Sequence, residues 1–383
     1  MKLDPPVNIP LITNKHLTSG ELQTERAIAD FRNGYPIAII EGEERFIVQS
    51  IDNLEEDHIR VLQNFAGDSA HLVLSSARLR KLRFNSHDDM ARVALPEINR
   101  TIIENYALSQ DAQVNFTLKA PIWIDRVALE LARLSLVLPA VIVIPVGQKL
   151  LDSDIVSVSA ENIRKYRKLQ ARHIYPVSRA AVPLEEALDS EFIVFRGGEG
   201  LRDQVAIIVG QPDYSKPVDV RLHSACLTGD LFGSLKCDCG DQLRSTIRYM
   251  TQNQGGILLY LDQEGRGNGL ANKIRAYNLQ ALGYDTYDAD EIIGFDQDQR
   301  LFDFAAEMLK QIGVKQVRLM TNNPLKISAL QQAGITVVSD RRIEGRKTEQ
   351  NTHYLKTKRD KAGHMLDLGD TIPGDTLPEG EGA

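Results

Sequence analysis

Cysteine is scarce in this chain. Of 383 residues only Cys226, Cys237 and Cys239 carry a thiol, and all three fall in "HSACLTGDLFGSLKCDCGDQL", residues 223–243. So small and odd a number excludes a disulfide framework and leaves metal binding or catalysis as reasons for gathering the sulfur. Long apolar runs are missing too: no segment approaches the roughly 20 apolar residues of a membrane crossing, so no membrane partner is expected. The opening "MKLDPPVNIPLITNK" has neither an apolar core nor a small-residue cleavage site, and a cytoplasmic protein is expected. Nor is there an excess of basic charge. Lys and Arg number 45 against 52 Asp and Glu, a formal −7, and five acidic residues with no basic one lie in the tail 367–383. No nucleic-acid partner is expected from such a balance.

What is present reads as mixed α/β. A chain of 383 residues exceeds one ordinary core, so two α/β domains of about 150–200 residues are expected, the second with strands and helices alternating around a mixed sheet. An extended, Pro-rich segment covers 1–16. The first domain spans 17–150: "GELQTERAIADFRNG" has helical spacing up to Gly34, "YPIAIIEG" and "HLVLS" read as strands, and "EDHIRVLQNFAG" is amphipathic. "IDRVALELARLSLVLPAVIVIP" reads as a helix passing into a β-branched strand, and this half offers no cluster of chemical residues. A helical connector, with "AENIRKYRKLQARHIYPV", spans 151–199 and ends at a Gly run. The second domain spans 200–366. In it the strands "DQVAIIVG", "DVRLHSAC", "GGILLYL", "QVRLMT" and "ITVVS" alternate with helices from Gly240 and through "LANKIRAYNLQALG", "LFDFAAEMLKQIG" and "PLKISALQQAG". The acidic tail 367–383 is expected to be disordered.

Three thiolates suit zinc in its catalytic form, with three protein ligands and an open position, whereas structural zinc closes its shell with four. Cys237 and Cys239 alternate along an extended C-x-C, which brings two sulfurs to one face. Three incidental buried cysteines, a redox C-x-C pair, or a shell closed by His223 are the competing readings. Zinc with an open position acidifies water toward neutral pH for attack on an electrophilic carbon. Two strand–loop–helix units supply sites for anions. In "LLYLDQEGRGNGLANKIRAY" a Gly-rich turn, neither a Walker loop nor G-x-G-x-x-G, opens a helix; in "VRLMTNNPLKISAL" Asn323 suits the cap and Pro324 the first turn, with Thr321 and Lys326 beside them. A plain polar turn is the alternative in each case. Together with Arg266, Arg300 and Lys326 these ends suggest a polyphosphate, and a metal beside a polyphosphate suggests nucleotide hydrolysis.

The blocks "VRLHSACLTGDLFGSLKCDCGDQL", "DQEGRGNGLANKIRAYNLQALGYDT", "IGFDQDQR" and "LMTNNPLKISAL" resemble, in order, GTP cyclohydrolase II. The resemblance covers about Val205 to Leu366. It implies removal of C8 of guanine as formate and release of pyrophosphate, leaving 2,5-diamino-6-ribosylamino-4(3H)-pyrimidinone 5′-phosphate, at the start of riboflavin synthesis. It implies Cys226, Cys237 and Cys239 as zinc ligands, Mg2+ on the substrate phosphates, and a homodimer. GTP contacts are implied at Arg221, Leu222, His223, Ser224, Ala225, Gln242, Glu264, Gly265, Arg266, Thr286, Thr321 and Lys326. Asp298 and Arg300 fall on the family's proton acceptor and nucleophile; an arginine suits a phosphate clamp better, with Asp298 orienting it or taking a proton. Tyr277 falls on a tyrosine beside the reacting base. Two positions depart from the family. Ala225 replaces a glutamate, and Asp262 replaces an arginine, which bears on rate and product rather than on the metal.

The first domain resembles dihydroxybutanone phosphate synthase through "AIADFRNGYPIAIIEGEERFIVQSID" and "RVALELARLSLVLPAVIVIP". Where that family carries an acidic cluster this chain has Phe46, Ile47, Val48 and Gln49, and where it carries a His–Thr–Glu run this chain reads "PIWIDRV". Apolar side chains neither hold magnesium nor move protons, so a dimerisation or support role without that chemistry is expected. For the whole chain, an active zinc cyclohydrolase competes with two alternatives: an enzyme stopping at a formamide or at pyrophosphate release, and a non-catalytic GTP-binding protein with structural zinc.

Overall fold

The computed structural model describes residues 18–52, 54–66, 69–84, 89–109, 112, 116–146, 155–198, 203–295, 300–343, 345–346, 348, 351 and 359. The segment read as extended, 1–16, and the acidic tail 367–383 lie outside them.

The first domain opens on α1 (Ser19–Arg32), capped reciprocally by Thr18 and Glu21. β1 (Ile37–Glu41), β2 (Glu44–Ser50), α2 (Glu56–Ala66), β3 (His71–Ser75), α3 (Ser76–Lys81), β4 (Met90–Ala94), α4 (Arg100–Leu108), β5 (Leu118–Lys119), α5 (Trp123–Leu134), β6 (Ala140–Pro145) and β7 (Ser157–Ser159) follow. The strands form a sheet in the order β5-β4-β3-β6-β2-β1-β7, antiparallel except where β7 joins β1. β6 is central and covered on both faces, which is why "AVIVI" is apolar without alternation. Val141 and Val143 share a core with Ile28, Phe31 and Leu131, while Ile142 and Ile144 share another with Ile59 and Leu62. Phe46, Ile47 and Val48 are core residues of β2, and the buried Gln49 donates to the Gly34 carbonyl (2.9 Å). Asp125 of "PIWIDRV" is wholly buried; it accepts the Ile122 N–H (2.7 Å), pairs with His71 (2.8 Å) and lies 3.6 Å from Arg92.

The segment expected as a helical connector is only partly helical. After α6 (Ala160–Arg172) the chain forms β8 (Tyr175–Ala181) and β9 (Ser190–Arg196), a hairpin at the edge of a second sheet. Its pattern is masked because the β8–β9 register slips between Pro176 and Ser178, and Arg179 and Glu191 pair on the outer side while Ile193 and Phe195 are fully buried. The second domain's sheet thus starts near 175 rather than 200.

β10 (Asp203–Val209), β11 (Val218–Ser224), α7 (Leu227–Asp230), α8 (Cys239–Gln252), β12 (Gly256–Leu261), α9 (Leu270–Ala281), α10 (Thr286–Ile292), α11 (Asp303–Ile312), β13 (Gln316–Met320), α12 (Pro324–Gln332) and β14 (Thr336–Arg341) complete the second domain. Its order is β14-β13-β11-β12-β10-β9-β8, with β14, β13, β11 and β12 parallel and the rest antiparallel. Both sheets are mixed, as the α/β reading expects. From β11 the chain goes to β12 on one side and later to β13 on the other, the kind of switch point at which open sheets bind ligands beyond their carboxyl ends. Among the described residues no helix is long and apolar enough to cross a membrane.

Candidate active site

The carboxyl ends of β11, β12 and β13 deliver most of the residues singled out in the sequence. β11 ends in Arg221, Leu222, His223 and Ser224, and Ala225 and Cys226 follow directly. Alternation sends Leu222 into the sheet core, where its carbonyl accepts Lys326 Nζ (2.6 Å). Arg221, buried, donates to Gln242 Oε1 (2.6 Å); burial lowers its pKa to about 10, so it is charged at neutral pH. Ala225 donates its N–H to the Leu261 carbonyl (2.7 Å), locking the turn into the cysteine segment.

Cys226 and Cys237 are buried, and Cys239 opens α8. The three sulfurs lie within 4.8 Å of one another, and those of Cys226 and Cys237 are 3.6 Å apart. Two thiolates on a tetrahedral zinc, each at about 2.3 Å, stand roughly 3.8 Å apart, so donor set and spacing both fit the metal. Gly229 makes the space: a Cβ there would sit 2.7 Å from the Cys237 sulfur and 3.0 Å from that of Cys226. Gly229→Ala is therefore expected to lower zinc affinity about 10-fold or more, read by zinc retained per chain after dialysis against a weak chelator.

No His, Asp or Glu joins that group among the described residues. His223, the candidate fourth ligand, instead turns Nε2 to Asp230 (3.0 Å) and stacks on Tyr260 with ring centroids 5.5 Å apart. Burial lowers its pKa against the pull of Asp230, which leaves a neutral ring. Asp230 also accepts the Cys226 N–H (2.9 Å) and the Tyr260 hydroxyl (3.0 Å), which ties β11 and β12 to the first cysteine.

A cation stands against the thiolates. Lys273 Nζ lies 3.1 Å from Cys226 Sγ and 2.8 Å from Glu264 Oε1. Hydrogen bonds from Cys237 and Cys239, with Lys273 alongside, hold the Cys226 sulfur far below the ordinary thiol pKa, and the bond to Cys226 pushes Cys237 up to about 11. Burial opposes the charge on Lys273, but Cys226 and Glu264 outweigh it and raise its pKa. Four residues on, Tyr277 shares that face of α9. Burial pushes its phenol up to about 12, so it keeps its proton at neutral pH as a donor.

Glu264, read as a ligand contact, has internal partners: besides Lys273 it accepts the N–H of Leu227 (2.6 Å) and of Gly265 (2.9 Å). Gly265 and Arg266 take φ of 62° and 60°, a conformation that costs a non-glycine residue of order 1–3 kcal/mol. Arg266 pairs with Asp290 of α10 (3.1 Å). Arg300 donates to Ser224 Oγ (3.2 Å), and its guanidinium and Lys326 Nζ stand 5.5 and 5.2 Å from the centre of the Phe302 ring. Thr321 Oγ1 accepts the Asn323 N–H (3.0 Å), and Asn323 caps α12 ahead of Pro324, as its sequence suggests. Asp298 lies outside the described residues; Thr286 heads α10. Sequence reasoning missed Lys273, Asp230, Tyr260 and Gln263, whose side chain accepts from Ser224 (3.2 Å) and donates to Leu301 O (2.6 Å). Only Lys273 left a signal, its four-residue spacing from Tyr277.

Comparison with known proteins decides the family. GTP cyclohydrolase II matches residues 176–342, from the edge hairpin through β14. The GTP cyclohydrolase-2 of Xylella fastidiosa (strain 9a5c) is 39% identical over 388 residues, covering 97% of this chain and 95% of its own. The chain belongs to the GTP cyclohydrolase II family. Another member, the GTP cyclohydrolase-2 of Vibrio vulnificus (strain CMCP6), is 48% identical over 180 residues, which make 47% of this chain and 90% of that one. Among solved structures, a two-domain 3,4-dihydroxy-2-butanone 4-phosphate synthase from A. baumannii is matched over 84% of this chain and 99% of its own, at 14% identity and a TM-score of 0.32. That likeness is too slight to assign a function to the first domain.

Proposed function

We propose that this enzyme opens the imidazole ring of GTP, releasing formate and pyrophosphate and leaving 2,5-diamino-6-ribosylamino-4(3H)-pyrimidinone 5′-phosphate, the first step of riboflavin synthesis. The observation that carries this is the three-cysteine group, which no fourth His, Asp or Glu joins among the described residues, with Lys273 and Tyr277 on one side and the Arg300–Lys326 pair at the same sheet ends. When bound there, zinc supplies Lewis acidity and acidified water.

The chain's own residues do the rest. Arg300, Lys326 and Arg266 bind the triphosphate as fixed cations, with Mg2+ on the same phosphates, Ser224 holding Arg300 and Asp298 orienting it or taking a proton. Arg221 and Gln242, bonded to each other, face the nucleoside together with the backbone at Leu222 and Ala225 and the buried His223. His223 Nδ1 has no hydrogen-bond partner among the described residues and is free to accept from the base. Glu264 and Gly265 shape the loop that presents Arg266, while Thr321 and Thr286 stand at helix starts. Tyr277 donates a proton as the C8–nitrogen bond breaks. Two C–N bonds at C8 and one phosphoanhydride bond are cut, each with one water. The enzyme works as a cytoplasmic homodimer in this reading, and its first domain, with core residues where an acidic cluster would be needed, turns over no ribulose 5-phosphate.

Zinc-loaded protein given GTP and Mg2+ is expected to release formate and pyrophosphate in equal amounts. Pyrophosphate without formate would establish the truncated reaction that Ala225 and Asp262 motivate, and neither product despite bound GTP would leave a binding protein. Tyr277→Phe is expected to lower kcat for formate about 100-fold or more with zinc content unchanged.

A further inference from the structure

The pair of helices that carries Lys273 and Tyr277 has two faces, and only one belongs to the site. On the other, Ala276 and Leu279 of α9, Ala289 and Ile292 of α10, and Ile293 and Phe295 beyond it are buried in one core with Leu72, Leu74 and Ile142 of the first domain's sheet. The wall behind the thiolate cluster is therefore built jointly by the two domains.

Polar ties fix its register. Arg78 of α3 is 1% exposed, and its guanidinium reaches four backbone carbonyls. Three, of Asn105 (3.2 Å), Tyr106 (2.8 Å) and Ser109 (2.6 Å), terminate α4 of the first domain, and the fourth, of Ile292 (3.0 Å), ends α10 of the second. Carbonyls at a helix end carry partial negative charge, so one buried cation bridges the ends of two helices from different domains without a carboxylate. Burial lowers its pKa to about 10, so the cation persists at neutral pH. Beside it, Ser75 Oγ donates to the Gly294 carbonyl (2.6 Å), and Gly294 takes φ 87°, where a side chain is strained and a Cβ would crowd Pro139 and Ser75 at 3.2 Å. At the start of α9, Asn272 donates to the Leu136 carbonyl (3.1 Å) and Arg275 pairs with Asp52 (2.9 Å).

We infer that the first domain positions the active site of the second, and that Arg78 is the positioning residue: by holding the end of α10 it sets α9, and with α9 the placement of Tyr277 and Lys273 against the cysteines. This rests on the reaction proposed above. A displacement of about 1 Å in a reacting group costs on the order of 100-fold in rate. Of the three phosphate cations, Arg300 and Lys326 stand on other elements, and Arg266 is tied to α10 through Asp290.

The test is Arg78→Met in the full chain, assayed well below its melting temperature. kcat for formate per folded, zinc-loaded chain is expected to fall about 10- to 100-fold, more than KM for GTP rises, since of the three phosphate cations only Arg266 is tied to α10. A second readout is independent of turnover: in cobalt-substituted protein the thiolate-to-metal charge-transfer bands are expected to shift, because Lys273 withdraws from Cys226. A variant that only melts earlier, with kcat and cobalt bands like those of the parent chain, would overturn the inference. If Arg78→Met does not fold, Ser75→Ala, which removes the bond to Gly294, decides by the same criteria. If the parent chain itself releases no formate, the proposed reaction falls, and the cobalt bands alone decide whether Arg78 positions α9.

Discussion

Replacing Cys237 with serine is expected to empty the metal site and reduce formate release to the buffer rate, with GTP still bound. Cys237 is the sulfur packed at 3.6 Å from Cys226 beneath Gly229, so its loss takes one of three ligands from the middle of the group. A serine hydroxyl does not ionise at neutral pH, and two remaining thiolates leave zinc too weakly held to survive dialysis. Acidifying water from a pKa of 15.7 to about 7 is what zinc offers such a site, so its loss is not a graded defect. Zinc measured per chain beside formate and pyrophosphate checks this. A variant that loses zinc yet keeps forming formate would remove the metal from the reaction, and one that stays folded with neither product would confine the cysteines to chemistry rather than stability.

Much of the second domain is legible in the sequence because each of its signals is local. Parallel strands buried on both faces give apolar runs such as "GILLY", helices give their own period, and Asn323 and Pro324 mark a helix start. The cysteines are legible for a different reason: three thiols in one polar stretch have few uses. What stays hidden is set by partners far away in sequence. The edge hairpin at 175–196 looks like part of a charged connector because a Pro and a register slip interrupt its alternation and an ion pair covers its outer side. Glu264, in a Gly-rich turn whose sequence suggests an anion site, is bound instead to Leu227 and Lys273. Arg78 meets Ile292 across 214 residues, and nothing in the period of α3 announces it. Local patterns name the elements and the reactive groups; the contacts that aim those groups come from packing between elements.

Lys273 makes that difference measurable, since its neighbours explain it and its sequence context offers only the four-residue spacing from Tyr277. Its side chain is 10% exposed and its ammonium neutralises two anions, the Cys226 thiolate and Glu264, whose side chain is 11% exposed. Lys273→Met leaves both buried without a countercharge, and breaking such a pair costs roughly 3–5 kcal/mol. The variant is expected to melt earlier and to hold zinc about 10- to 100-fold more weakly, with formate release restored in part by excess zinc. Adding Glu264→Gln separates the two anions. If Lys273 serves mainly to neutralise Glu264, the double variant regains both stability and zinc affinity. If it serves the thiolates, as 3.1 Å from the sulfur implies, the double variant regains stability while zinc affinity stays low, because Cys226 still has no cation beside it. Zinc titration of the two variants against a competing chelator, with thermal melts alongside, distinguishes these outcomes.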